Sequence, residues 1–194
     1  MESASIVRHV ADSYSPILQS VLRSAIEATG AAQGWILETA GSELVVRASV
    51  GTDVHLIGQR VPLDAGFAGY VASSGQPIAM SPRRDDSRSA QGVAALVGTQ
   101  PGSVLAVPCG VGDTIDGVLE LVEKHGGGPF TFDDVEIATL LAGIAATALQ
   151  ADGQPMASVP SPQQIGADLA RLASSDPTRY ATLATFLATV LSDG

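Results

Sequence analysis

Cys109 is the only cysteine in the 194-residue chain. A thiolate can attack an electrophile or be oxidised, but redox turnover needs a second thiol to resolve the oxidised sulfur. With one cysteine there is no internal disulfide and no cysteine cluster for zinc. Cys109 follows Val107-Pro108 at the end of a strand-like run, where a free cysteine packs as a small hydrophobe. His9, His55 and His125 are far apart and fall in predicted loop or terminal stretches. No His/Cys/carboxylate group has metal-ligand spacing, so surface histidines and no metal are expected. Asp85-Asp86 and Asp133-Asp134 are adjacent carboxylates, and adjacent side chains diverge rather than converge across a cleft. Asp133 and Asp134 suit the first turn of a helix, where negative charge meets the positive end of the dipole. Asp86 with Arg88 suits a brace within a loop. Gly66-x-x-Gly69 lacks the Gly-Lys-Ser/Thr ending of a phosphate loop, and Gly126–Gly128 runs into Pro129. No Ser/His/Asp order suggests hydrolysis. The expectation is a protein that is not an enzyme, and no cofactor can be named.

Charge narrows the partners. Twenty acidic residues against ten basic ones give a net charge of −10, yet only 15% of residues are charged and 45% are hydrophobic. Binding a polyanion needs clustered Lys and Arg. Lys124 is the only lysine, and Arg83, Arg84 and Arg88 are interleaved with Asp85 and Asp86. Nucleic acid is not an expected partner. The N-terminus lacks the apolar core of a signal peptide, and the longest apolar run, Ile137 to Leu149, is shorter than a membrane span requires. A cytoplasmic protein is expected.

Several elements must position these residues. Ser15-Pro16 marks a helix start, Ile17 to Ile26 carries helical periodicity, and Gly30 marks the stop; Ala4 to Ala11 is a further helical candidate. Trp35-Ile36-Leu37 and Leu44 to Ala48 form a hairpin, with Leu44, Val46 and Ala48 expected on one face. Residues 52–62 read as a connector. A short helix spans Phe67 to Ser74, a short strand Ile78 to Met80, and a weak helix lies within 90–97. Ser103 to Cys109 and Ile115 to Val122 form a second hairpin. Thr131 starts a long apolar helix, with Asp134 three residues on as a capping-box variant. The order predicts an α+β fold, an antiparallel sheet packed by N- and C-terminal helices. Pro155, Pro160 and Pro162 mark a linker, followed by a helix from Gln164 to Ala173 and another from Thr178 to Leu191.

Three ordered segments resemble the GAF domain, a small-molecule-sensing module of signalling proteins. They are Val61-Pro62 through Gly75-Gln76-Pro77, then Val104 to Pro108 with Gly117 to Leu121, and finally Phe130-Thr131 with Asp134. The resemblance covers residues ~16–150 and divides the chain into an N-terminal segment (1–15), a GAF-like domain (16–150), a Pro-rich linker (151–163) and a helical tail (164–194). It implies a pocket on one sheet face, roofed by residues 64–97, with Trp35, Phe67, Tyr70, Arg88, Cys109 and Glu120 near it. Cyclic-nucleotide-binding members carry an asparagine-lysine pair where this chain has Glu123-Lys124, which speaks against that ligand. Enzymatic relatives that reduce free methionine sulfoxide need several cooperating cysteines.

The stretch from Tyr180 to Leu191 contains no charge. An isolated helix of this length is marginal in water, so Leu183, Phe186, Leu187 and Val190 are expected to pack on the domain, on a second copy or on another protein. The first functional expectation is a non-catalytic regulator that binds a small molecule, dimerises through its terminal helices and signals through a protein partner. The alternative is a ligand-free GAF-fold scaffold whose pocket its own side chains fill. A thiol redox enzyme is the third.

Overall fold

A computed structural model describes residues 15–52, 54–112, 114–153, 162–181 and 184. The candidate helix at Ala4 to Ala11, His9 and the tail residues Leu183, Phe186, Leu187 and Val190 lie outside these. The chain forms two compact units, the first ending at Gly153 and the second beginning at Gln154.

The first unit is a six-stranded sheet in the order β3-β2-β1-β6-β5-β4, antiparallel throughout. Its strands are β1 (Ala31–Ala40), β2 (Glu43–Val50), β3 (Arg60–Pro62), β4 (Ile78–Met80), β5 (Val104–Val111) and β6 (Thr114–Lys124). Helices α1 (Pro16–Thr29) and α4 (Phe132–Gly153) are the long ones, and α2 (Gly66–Ser74) and α3 (Val93–Val97) the short ones. The α+β fold with flanking helices agrees with the expectation. In the second unit, helix α5 spans Pro162–Ser175. Asp176 interrupts the helical backbone and accepts a hydrogen bond from the Arg179 amide at 3.0 Å, starting the next turn.

Strand alternation sorts the core into two layers. Leu105, Val107 and Cys109 of β5 and Leu119 and Leu121 of β6 join Leu18, Leu22 and Ala25 of α1 and the alanines of α4. Val104, Ala106, Val118 and Val122 point the other way, toward Phe67 and Val71 of α2 and Val93 of α3. The sheet is therefore a middle layer, with long helices on one face and a roof of short elements on the other.

Three local features differ from expectation. The pairing jumps from Ile36–Ala48 to Leu37–Val46, so Arg47 is an extra residue in β2. This bulge reverses the alternation: Leu44 and Val46 lie under the roof, whereas Ala48 faces the long helices. Residues 60–62, expected within a connector, pair with β2 as an edge strand. Ser15 occupies the N-cap of α1, but its hydroxyl makes no capping bond.

The start of α4 follows its sequence signal. Asp134 Oδ2 accepts from the Thr131 amide at 2.6 Å, and Thr131 Oγ1 accepts from the Asp134 amide at 3.3 Å. This reciprocal pair is a capping box. Lys124 at the end of β6 also donates to Asp134. Its ammonium lies 5.5 Å from the Phe130 ring centre. Burial pushes the Asp134 carboxyl up, but bonds from Lys124 and Thr131 outweigh it and hold the group below the usual carboxylate range. The sequence Lys124…Phe130-Thr131…Asp134 is thus a brace between the last strand and the last helix of the sheet unit.

Candidate functional site

The glycines of the roof are packing positions. Gly66 starts α2 with φ +74°, and a Cβ there would sit 3.0 Å from the Gln91 carbonyl oxygen. A Cβ on Gly69 would lie 2.7 Å from the Leu63 carbonyl oxygen. Close backbone approach, not phosphate binding, requires these residues.

Trp35 of β1 and Glu120 of β6 are directly opposed across their strand pair. Both lie on the roof side. Glu120 is only 3% exposed. Burial pushes its carboxyl up to about 7, with the Trp35 indole N–H and the Ala68 amide N–H offsetting part of the effect. Trp35 is 2% exposed, yet its Nε1 closes no hydrogen bond of normal geometry. Ser89 Oγ, also buried in the roof, likewise has no partner. A buried donor without an acceptor is destabilising and calls for an explanation.

Phe67 packs with Trp35 in the roof core. Arg88 covers it, with its guanidinium carbon 5.0 Å from the Phe67 ring centre and 5.6 Å from that of Tyr70. Asp86 fixes this arginine by accepting from Nε at 3.0 Å and Nη2 at 2.8 Å. The hydrogen bonds from Arg88 hold the Asp86 carboxyl below the usual range. Asp86 and Arg88 form the expected loop brace, and Arg88 caps Phe67 and Tyr70. Tyr70 is 43% exposed and stands on the outer side of this stack.

Cys109 is not beside these residues. Glu120 is paired with Ala106, and Cys109 lies three residues along β5 with the opposite parity. It faces the long-helix core, fully buried. Burial pushes its thiol up to about 12, so a thiolate is disfavoured there. Of the six expected pocket residues, the structure brings Trp35, Phe67 and Glu120 together under the roof. Tyr70 and Arg88 lie over Phe67, and Cys109 is on the other face.

Two openings flank Val97 of α3. One, of about 150 Å³, is lined by Gln33, Trp35 and Val122 of the sheet, by Glu123, and by Ala94 and Val97. The other, of about 320 Å³, is lined by His55, Leu56, Gln59, Leu96 and Val97. Trp35 is the only expected pocket residue on either wall. Gln33 shares its face by strand period, a signal available in the sequence. Glu123 was visible only as a departure from the asparagine-lysine pair. It has φ +59°, unusual for a residue with a side chain. Its Oε1 accepts from the Gly102 amide at 2.9 Å. His55, on the wall of the larger opening, is exposed. Among the described residues, no group of three or more His, Cys, Asp or Glu could hold a metal ion, and no helix is long and apolar enough to cross a membrane.

The profile of the GAF domain family matches residues 11–150. The chain belongs to the GAF domain family. GAF domains are typically regulatory, small-molecule-sensing modules. Among solved structures, the GAF-B domain of DevS from Mycobacterium smegmatis is 25% identical, with a TM-score of 0.55 over 70% of this chain and 91% of that one. The GAF domain of a phosphoenolpyruvate-protein phosphotransferase from Coxiella burnetii is 19% identical, with a TM-score of 0.59 over 70% and 83%. Free methionine-R-sulfoxide reductase from Neisseria meningitidis, solved with its substrate, is 20% identical, with a TM-score of 0.55 over 71% and 78%. No curated protein matches the sequence.

Proposed function

We propose that this GAF domain is a non-catalytic cytoplasmic regulator that takes a small molecule into the cleft beneath α3. The single observation that carries the reading is Trp35, a buried indole that lines a cavity and faces a buried carboxyl. Phe67, Tyr70, Arg88 and Glu120 then shape the pocket from behind.

Output would pass through helices. Ile17 of α1 and Leu140 and Ile144 of α4 are 59%, 75% and 53% exposed and line one groove. Large apolar residues grouped on two helices suit contact with a second copy or a protein partner. In this reading residues 16–150 are the sensing domain, 151–163 a linker and 164–194 a helical tail whose Leu183, Phe186, Leu187 and Val190 serve interaction.

The ligand-free scaffold is the second reading, favoured by one observation: Arg88 already stacks on Phe67 and Tyr70 at the mouth expected for a pocket. Thiol chemistry is disfavoured, although two neighbours are named sulfoxide reductases, because Cys109 is buried on the other face.

Trp35 is the only tryptophan, so its indole resonance reports this cleft alone. Small molecules of anionic, neutral and cationic classes would be screened by thermal shift and by that resonance. A ligand at about 100 times its dissociation constant adds about 2.7 kcal/mol. If no class moves either readout, the sensing reading fails and the scaffold stands. Light scattering at micromolar concentration tests self-association, and a monomer with Leu140→Lys unchanged from the parent would sink the dimer.

A further inference from the structure

The smaller cavity is lined by one charged residue, Glu123, and Glu120 stands beyond it against Trp35. No lysine or arginine lines either cavity. The cations nearest in sequence are committed elsewhere. Lys124 is paired with Asp134, and Arg88 with Asp86. No charged neighbour among the described residues contributes to the titration of Glu120, which is governed by burial, Trp35 and Ala68. Buried carboxylates in proteins are paired with a cation or are protonated. Among the described residues, none supplies a cation to Glu120. The chain does supply an indole, whose face attracts positive charge. The glutamate on the rim is held in the left-handed region, with one carboxylate oxygen fixed by the Gly102 amide. Such outliers are associated with ligand clamps and other functional sites.

We propose that the occupant of the smaller cavity is a small organic cation, an alkylammonium or guanidinium head group, seated on Trp35 with Glu123 at the rim and Glu120 behind. This rests on the sensing reading above and specifies its ligand. An anionic ligand in this cavity, phosphate or carboxylate, would meet the Glu123 carboxylate and no lysine or arginine on its walls. The cavity of about 150 Å³ holds a head group rather than a large ring system.

The test compares charge at constant shape. Choline is titrated against the full chain at pH 8 alongside dimethylbutanol, its neutral carbon isostere. Ethylguanidinium is paired with ethylurea, and propionate serves as the anion. The Trp35 indole resonance is followed throughout. The expected result is saturable movement with the cations and at least about tenfold weaker binding of the isosteres, the scale of losing a charge-assisted contact. Glu120→Gln and Glu123→Gln should each weaken the cations and leave dimethylbutanol unchanged. Glutamine keeps the shape at both positions, and the second variant retains an acceptor for Gly102. If a neutral probe or propionate binds as well as its cationic counterpart, the cation is wrong and the sensing reading survives. If no probe moves the resonance in this panel or in the wider screen, both fall.

Discussion

The two faces of the sheet are built differently. The face under α1 and α4 is closed by Leu18, Leu22, Leu119, Leu121 and a row of alanines, Ala138, Ala142, Ala145 and Ala146, that let α4 lie close to the strands. The roof face contains Phe67, Leu37 and Val118, but also a buried carboxyl, an unpartnered Ser89 hydroxyl and two cavities. Close packing of apolar groups stabilises a fold, whereas unsatisfied buried polar groups oppose it. The long-helix face therefore holds the domain together, and the roof face carries features that packing alone does not explain.

Truncation on the two faces should give unequal losses. Leu119→Ala removes a fully buried side chain from the closed face, and large-to-small core changes of this kind cost about 2–5 kcal/mol. Val97→Ala, beside two existing cavities, should cost about 1 kcal/mol or less, because fewer contacts are lost. Denaturant unfolding of both variants measures the contrast. Equal losses would mean that the roof is as tightly packed as the helix face.

Glu120→Gln should go the other way. Below pH 4.5 the carboxyl is protonated in both folded and unfolded chains, so the variant and parent should be nearly equal. As pH rises the unfolded chain releases its proton near 4.5, while the folded chain keeps it to about 7. The parent thus loses stability through this window, by about 3 kcal/mol in all, and the loss is complete above pH 7. At pH 8 the glutamine variant should be more stable by about that amount. Asp86 and Asp134 have the opposite sign: their carboxyls are held low, so their contribution is lost only as pH falls below 3.8. Subtracting the two stability–pH curves isolates Glu120, and a flat difference would show that its carboxylate is paired in the folded chain.

Much of this contrast was legible in the sequence, and the exceptions have a common cause. Helices α1, α2 and α4 were visible because Pro16, Gly30, Gly75 and Thr131-x-x-Asp134 punctuate them. Strand identity was visible from apolar runs, but face assignment depends on parity, which a single residue reverses. Arg47, the extra residue in β2, moved Ala48 away from Leu44 and Val46. The resemblance implies a place for Cys109 near the pocket with Glu120, but their register puts Ala106 opposite Glu120 and sends Cys109 to the other core. The three-residue β3 is too short to leave a periodic signal in the sequence, and only its pairing with β2 reveals it. Glu123 gave no local hint of its left-handed backbone, since that conformation is imposed by the end of the sheet and the contact with Gly102.

The brace that spans the sheet's end should matter at an intermediate level. Asp134→Ala removes the carboxylate of the capping box and the partner of Lys124. Lost caps typically cost about 1 kcal/mol, and the part-buried ion pair should raise this to about 1–2 kcal/mol. Lys124→Met, which keeps the apolar stem over Phe130, should cost less. If the two variants lose the same amount, the ion pair rather than the cap is what Asp134 contributes.

Arg88→Gln should produce a small loss and the sharpest test of where the roof ends. Its contacts with Phe67, Tyr70 and Asp86 are partly exposed. Cation–π contacts at such sites contribute about 0.5–1 kcal/mol, and exposed ion pairs about 0–1 kcal/mol. A loss of about 1 kcal/mol in thermal or denaturant unfolding is expected. Its effect on Trp35 decides its role. As a brace capping Phe67, Arg88 should leave the Trp35 indole resonance and its response to ligands unchanged. As a wall of the cleft, it should alter both. The Arg88→Lys variant keeps the charge but cannot reproduce the forked contact with Asp86. If it behaves as Arg88→Gln does, geometry rather than charge is what the roof requires of this residue, and the acidic cleft beside Trp35 is electrically independent of it.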